Sequence, residues 1–338
     1  MNPIETGSLA LRLAEKAAVA VSGQAEPAAA LLADAVASCS GKFPDIAKLS
    51  EQAGLGSVLG ATRLQGGVVN NVYRIETTGK PFIARFCQDS LDVYQKEHWA
   101  MDTAASRGVI TPRIFKVGDE GTTSYMLMED VGRRTLADLE GDRGEALQKL
   151  GKQIGLTNGI KVEGFGFSLD LSKPQRPFFT ESWKAMKAGE NRYIFDGEPL
   201  VKLGALSAKE NREAQKFLQP MLDWNFEPRL CHGDVSLNNA IMRDDGAVAV
   251  IDWTQAKGGV APYFDLARLS TEIPAELPSF LKGYGITPQQ FASQSQNYQR
   301  VALTDVLRAG SWAQRTSHSE PQKFVADIRK LYESVIGS

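Results

Sequence analysis

Leu230-Cys231-His232-Gly233-Asp234-Val235-Ser236-Leu237-Asn238-Asn239 runs into Ala240–Arg243, then Asp244-Asp245-Gly246, then Ala247-Val248-Ala249-Val250-Ile251-Asp252-Trp253. Two apolar runs around Asp-Gly read as a β-hairpin. With a two-residue turn at Asp245-Gly246, Asn239 and Asp252 lie opposite each other, each six residues from its own turn residue. One amide and one carboxylate then meet at the open end of the hairpin, with Asp234 upstream on the loop leading in. Two oxygen donors side by side suit Mg²⁺, which takes one or two protein ligands plus waters and phosphates. A third carboxylate just outside can orient a hydroxyl and accept its proton as phosphate transfers. His-Gly-Asp alone could be a turn and Ile-Asp-Trp alone a strand end. It is their spacing across one hairpin that makes a phosphoryl-transfer site the expectation.

Outward from this stretch the chain changes character twice. Val72–Glu76, Pro81–Phe86, Arg113–Val117 and Ser124–Glu129 carry β-branched and aromatic residues between Gly-containing turns, and Leu91–Ser106 reads as a helix among them. The order is strand, strand, strand, helix, strand, strand. After Gly132 helical patterns dominate at Gly144–Asn158, Ser207–Trp224, Pro288–Trp312 and Pro321–Val335, interrupted by the one hairpin. Residues 1–58 read as Ala/Leu-rich helices whose stripes suit packing against the main body. The expected class is α+β and bilobal: a helical extension at 1–58, a small lobe at 59–131 with a five-stranded antiparallel sheet, and a larger helical lobe at 132–338. One short hinge near Glu129–Gly132 and a cleft between the lobes are expected.

Composition narrows the partners. The 338 residues are 43% hydrophobic and 23% charged, as in an ordinary globular protein. With 38 Lys+Arg against 40 Asp+Glu, no basic excess suggests nucleic acid or an anionic membrane. Cys39, Cys87 and Cys231 are odd in number and far apart, fitting neither a disulfide framework nor a zinc cage, so a reducing cytoplasm is the expected location. The N-terminus lacks a signal-peptide pattern and no 18-residue apolar run occurs, so no membrane partner is expected.

His232-Gly233-Asp234, Asn239, Ile251-Asp252-Trp253 and Pro262-Tyr263-Phe264-Asp265-Leu266-Ala267 together resemble the motifs of the aminoglycoside phosphotransferase family, small-molecule relatives of the protein kinases. The resemblance covers roughly residues 60 to 315. It implies a bilobal kinase-like fold, ATP and Mg²⁺ as cofactors, Asp234 as catalytic base, Asn239 and Asp252 as metal ligands, and Asp265 as a carboxylate bracing the catalytic loop. His232 reads as a buried loop support. It does not form a hydrolase dyad with Cys231, because neighbouring side chains on an extended segment point apart. In the N-terminal half the turn containing Gly66 and Gly67 resembles the family's phosphate-covering loop, where a missing Cβ lets backbone approach phosphate. Arg85 stands where kinases place a phosphate-binding Lys, and Glu97 where its ion-pair partner belongs. Arg there offers a planar fork rather than a point charge. Backbone near Glu129 and Val131 would bond the adenine edge.

Only nine residues separate Asp252 from Pro262, and no Ala-Pro-Glu follows, so a peptide-docking segment is absent and a small hydroxyl acceptor is expected. The family's acceptors include aminoglycosides, choline, homoserine and sugars. Residues 150–225 carry 11 basic and 9 acidic side chains, which weakens the case for a strongly cationic acceptor. Their aromatic residues, among them Phe165, Phe167, Trp183 and Trp224, suit core packing or stacking on a sugar ring. The Gly164-Phe165-Gly166 to Trp183 segment resembles the hygromycin phosphotransferase branch. The rival readings are a nucleotide-binding module without catalysis, a kinase for an amino alcohol or hydroxy amino acid, and a metal-dependent hydrolase.

Overall fold

A computed structural model describes residues 44–64, 71–88, 91–172, 177–187, 198–315 and 322–337. It divides into two compact units, residues 1–95 with 113–130 and residues 96–112 with 131–338. The helical patterns expected before residue 44 lie outside the described residues.

The first unit is built on one antiparallel sheet in the order β1-β2-β3-β5-β4, with β1 Val58–Arg63, β2 Asn71–Thr77, β3 Phe82–Gln88, β4 Ile114–Glu120 and β5 Thr123–Glu129. The first strand begins at Val58, earlier than the change of pattern at Leu64 suggests. Alternation explains the register. Tyr73 pairs with Ala84 and Ala84 with Leu127, so Tyr73, Ile75, Phe82, Ala84, Phe86, Tyr125 and Leu127 share one buried face. Helix α1, Ile46–Gln52, is capped by Asp45, whose carboxylate accepts from the Ala47 and Lys48 N–H groups, and it adds Ile46 and Leu49 to that core. Arg85 falls on the opposite face, between Val72 and Met126.

Helix α2, Leu91–Ala105, follows β3 in sequence. The second unit then carries α3 Gly144–Asn158, β6 Phe165–Asp170, β7 Phe178–Glu181, α4 Glu198–Lys202 and α5 Ala208–Leu218. A hairpin of β9 Ala240–Met242 and β10 Val248–Val250 follows β8 Arg229–Cys231. Beyond β11 Lys257–Gly259 come α6 Tyr263–Glu272, α7 Leu277–Tyr284, α8 Pro288–Ser293, α9 Ser295–Arg315 and α10 Gln322–Val335.

Three sequence expectations need correction here. The unit holds a second sheet, in the order β7-β6-β11-β8, hidden from the sequence because β8 and β11 have three residues each and β7 four, too few to leave a periodic trace. The pattern over Ser207–Trp224 becomes α5 followed by a 3₁₀ turn at Gln219–Asp223, where Pro220 lacks the N–H to continue an α-helix. The pattern over Pro288–Trp312 splits into α8 and α9, with Thr287 capping the first through a capping box with Gln290.

Helices α3 and α7 meet through glycines. A Cβ on Gly151 would stand 2.1 Å from the Phe280 carbonyl oxygen, and one on Gly283 would stand 1.9 Å from that of Gln148. Only glycine permits this approach, and it fixes the C-terminal end of α3, where Asn158 sits.

Candidate active site

The loop after β8 is held from beneath by a single carboxylate. Asp265, on α6 and almost wholly buried, accepts from the Gly233 N–H at 2.7 Å, the His232 N–H at 3.1 Å and the Asn158 amide at 2.7 Å. Asn158 also donates to the Leu230 carbonyl at 3.2 Å and accepts from the Tyr284 hydroxyl at 3.0 Å. Gly233 turns at φ 79°, and a Cβ there would lie 2.3 Å from the Gln255 carbonyl oxygen, so the sequence needs glycine at this point.

His232 is fully buried. Its Nδ1 accepts from the Asp234 N–H at 3.3 Å, which leaves Nε2 to donate to the Ile251 carbonyl at 2.9 Å. Burial lowers its pKa, so the ring is a neutral strut joining the loop to the end of β10. Burial pushes the neighbouring Cys231 thiol well up, which keeps it protonated and inert.

Asp234 is presented by this loop with about a quarter of its side chain exposed. The Asn239 amide donates to the Asp234 backbone carbonyl at 2.9 Å and to its Oδ2 at 3.0 Å. The Arg268 guanidinium pairs with Oδ1. Asn239 closes a 3₁₀ turn, Leu237–Asn239, and with both donor contacts spent on Asp234 its amide oxygen faces another way.

The hairpin register differs from the expected one by a single residue. Val250 pairs with Ala240, and the Ile251 N–H bonds the Asn239 carbonyl at 3.0 Å, so Asn239 stands opposite Ile251. The cause is the turn: Arg243 faces Ala247 and Gly246 adopts φ 76°, giving a three-residue loop with glycine in the left-handed position. Asp252 therefore follows the residue that pairs with Asn239. It takes φ 58°, ψ 67°, the one left-handed non-glycine residue among those described, and so leaves the strand's alternation. Its Oδ1 accepts from the Thr254 hydroxyl at 2.7 Å.

Glu97, buried on α2, accepts from the Trp253 N–H at 3.0 Å and the Thr254 hydroxyl at 3.3 Å, while Lys96 bonds the Thr254 carbonyl at 3.0 Å. These contacts fix the segment that carries Asp252. Asp234, Asn239, Asp252 and Glu97 are thus gathered in the second unit. Arg85 and Glu129 belong to the first. The Arg85 guanidinium lies 5.5 Å from the centre of the Tyr94 ring. Glu129 bonds Arg113 through its N–H at 2.8 Å and accepts from the Arg113 N–H at 3.2 Å. Val131 opens the second unit's long segment. Gly66 and Gly67 lie outside the described residues.

Sequence reasoning missed Arg268, Asn158 and Thr254. Arg268 lies three residues after Asp265 on α6, but an exposed arginine on a helix does not stand out from other surface cations, and the other two carry no signal in the sequence.

The donor set of one amide oxygen and one carboxylate is hard and compact, which fits Mg²⁺ completed by waters and phosphates. Among the described residues, no group of three or more His, Cys, Asp and Glu could hold a metal. No helix there is long and apolar enough to cross a membrane.

Comparison with known proteins identifies the family and the fold. The profile of APH, the phosphotransferase enzyme family, matches residues 60–303. No curated protein matches the chain in sequence. Among solved structures, a thermostable mutant of aminoglycoside phosphotransferase APH(4)-Ia, in a ternary complex with AMP-PNP and hygromycin B, is 17% identical with a TM-score of 0.67, over 88% of this chain and 100% of that one. A putative fructosamine-3-kinase from Haemophilus somnus is 16% identical with a TM-score of 0.62, over 86% and 96%. Spectinomycin phosphotransferase APH(9)-Ia, with ADP and spectinomycin, is 14% identical with a TM-score of 0.56, over 88% and 95%. At these identities the likeness is one of fold.

Proposed function

Because the chain belongs to the phosphotransferase enzyme family, we propose that it moves the γ-phosphate of ATP to a hydroxyl of a small molecule, with Asp234 as the base and Asn239 and Asp252 as the Mg²⁺ ligands. The observation that carries this reading is the clamp on Asp234: its loop is braced by Asp265 and His232, and its carboxylate is oriented by Asn239.

In the reaction the acceptor hydroxyl bonds an Asp234 carboxylate oxygen, which aims the hydroxyl oxygen along the line to the γ-phosphorus. The new P–O bond forms as the bond to the β–γ bridging oxygen breaks, its electrons leaving with ADP. The hydroxyl proton passes to Asp234. Asn239 and Asp252 would hold Mg²⁺, which would supply positive charge against that building on the phosphate oxygens. Asn239 serves two groups at once, orienting Asp234 through its NH₂ and offering its oxygen to the metal. Asp252 is held for the same task by its left-handed backbone and by Thr254, which Glu97 in turn anchors. Arg85 would contact the phosphates. With the Glu129 N–H committed to Arg113, a backbone donor to adenine falls to a later residue such as Val131. Three cysteines, odd in number and far apart in the chain, suit a reducing cytoplasm as the site of action.

The test is mass-detected phosphotransfer from Mg-ATP to aminoglycosides, aminocyclitols, sugars, sugar acids, amino alcohols and hydroxy amino acids. A gain of one phosphate on one compound class, absent with Asp234→Asn, is the expected result. ATP hydrolysis at the same rate with and without every acceptor, or equal product from Asp234→Asn, would overturn it.

A further inference from the structure

The proposed base is flanked by a cation that the phosphoryl-transfer scheme does not require. Arg268 projects from α6 with 54% of its side chain exposed, and its guanidinium pairs with Asp234 Oδ1. Guanidinium carries five N–H donors in a planar fork, more than one carboxylate oxygen can engage, so it can bond a second anion beside the first. A second basic group, buried Lys257, stands beside the same loop. The Lys257 Cε lies 2.7 Å from where a Cβ on Gly233 would stand, one residue before Asp234. The Lys257 Nζ is 4.5 Å from the centre of the Phe167 ring, and Arg308 approaches the same ring at 5.2 Å. Glu272, one turn further along α6, accepts from the Leu237 N–H at 3.3 Å, and Asp305 stands 3.7 Å from Arg308.

A polycationic acceptor delivering its hydroxyl to Asp234 would meet this guanidinium head-on. An acceptor carrying an anion near the hydroxyl would instead recruit it by a charge-assisted, two-pronged hydrogen bond through its remaining N–H groups, and the hydroxyl would take a free lone pair of the Asp234 carboxylate. We propose that Arg268 is a specificity-determining residue and that the acceptor bears a carboxylate or a phosphate close to the hydroxyl that is phosphorylated. The proposal rests on the phosphotransferase reading above and names its substrate class.

Matched sets that share hydroxyls and differ in charge test it: gluconate, glucose and glucosamine; glycerol 3-phosphate, glycerol and 3-amino-1,2-propanediol. Phosphotransfer is followed by mass. Binding to the Mg-AMP-PNP-loaded protein is followed by calorimetry, for the wild type, Arg268→Ala and Arg268→Lys. The first set reports a carboxylate and the second a phosphate. In at least one set the wild type should favour the anion over its neutral partner by about tenfold or more in kcat/KM, the worth of one charge-assisted hydrogen bond. Arg268→Ala should collapse that ratio towards one through the acceptor KM, and Arg268→Lys should restore part of it. A ratio unchanged in Arg268→Ala, preference for the neutral or cationic member, or no saturable binding by either anion would each overturn the proposal. Arg268-dependent anion binding without phosphate gain would uphold the anion site and contradict the phosphotransfer reading instead.

Discussion

Asp252 combines a functional demand with a backbone cost. The left-handed conformation at φ 58° is one that Asn and Asp visit and most residues avoid. Asp252→Asn should therefore keep the fold, with a Tm close to wild type, while lowering Mg-dependent nucleotide affinity by about tenfold or more, as calorimetry with and without Mg²⁺ will read. Asp252→Ala should lose the same affinity and a further ~1 kcal/mol of stability. Asp234, Asn239 and Asp252 stand out in the amino-acid sequence alone, because oxygen donors on both arms of a hairpin are uncommon where they serve structure only. Their mutual placement does not. The three-residue turn shifts the register by one, and the left-handed twist at Asp252 redirects a side chain that strand alternation would have sent elsewhere. Arg268 is hidden for a simpler reason: one exposed arginine on a helix looks like any solvated surface cation.

The glycine contact between α3 and α7 does for the loop carrying Asp234 what no side chain in that loop does. It sets Asn158 and Tyr284 in place, and through them Asp265. Gly151→Ala should push the helices apart and lower stability by about 1–3 kcal/mol, read as a reduced urea midpoint, with turnover falling alongside. The far end of the same unit is held by polar geometry instead. Ser207 and Glu210 form a capping box at the start of α5, and Glu210 also bonds Arg329 of α10 at 2.7 Å. These contacts hold the Glu210 carboxyl down at about 2. Ser207→Ala should cost about 1 kcal/mol by thermal melting and leave acceptor KM unchanged, since none of these groups approaches Asp234. Long periodic helices such as α3 and α10 are readable from sequence to within a residue or two. The four-stranded sheet of β7, β6, β11 and β8 is not, because its short strands are defined by partners distant in sequence.

The pH response of the folded chain follows from His232. An unfolded histidine titrates near 6.5, and burial lowers the value in the folded protein. As pH falls below about 6.5 the unfolded chain takes up the proton first, so stability is full above that pH and declines beneath it. His232→Gln should flatten this decline, measured as Tm against pH between about 5 and 7.5. With a formal charge of −2, the protein should show no retention on DNA, in keeping with a small-molecule acceptor. The central claim is that nucleotide binding and phosphoryl transfer rest on different carboxylates of one hairpin and its leading loop. It is tested most directly by measuring Mg-ATP affinity and phosphotransfer rate on the same preparations of wild type, Asp234→Asn and Asp252→Asn. The account predicts that Asp234→Asn binds Mg-ATP as the wild type does and transfers no phosphate, while Asp252→Asn is impaired in both. Near wild-type transfer by Asp234→Asn, or unchanged Mg-ATP affinity in Asp252→Asn, would contradict it.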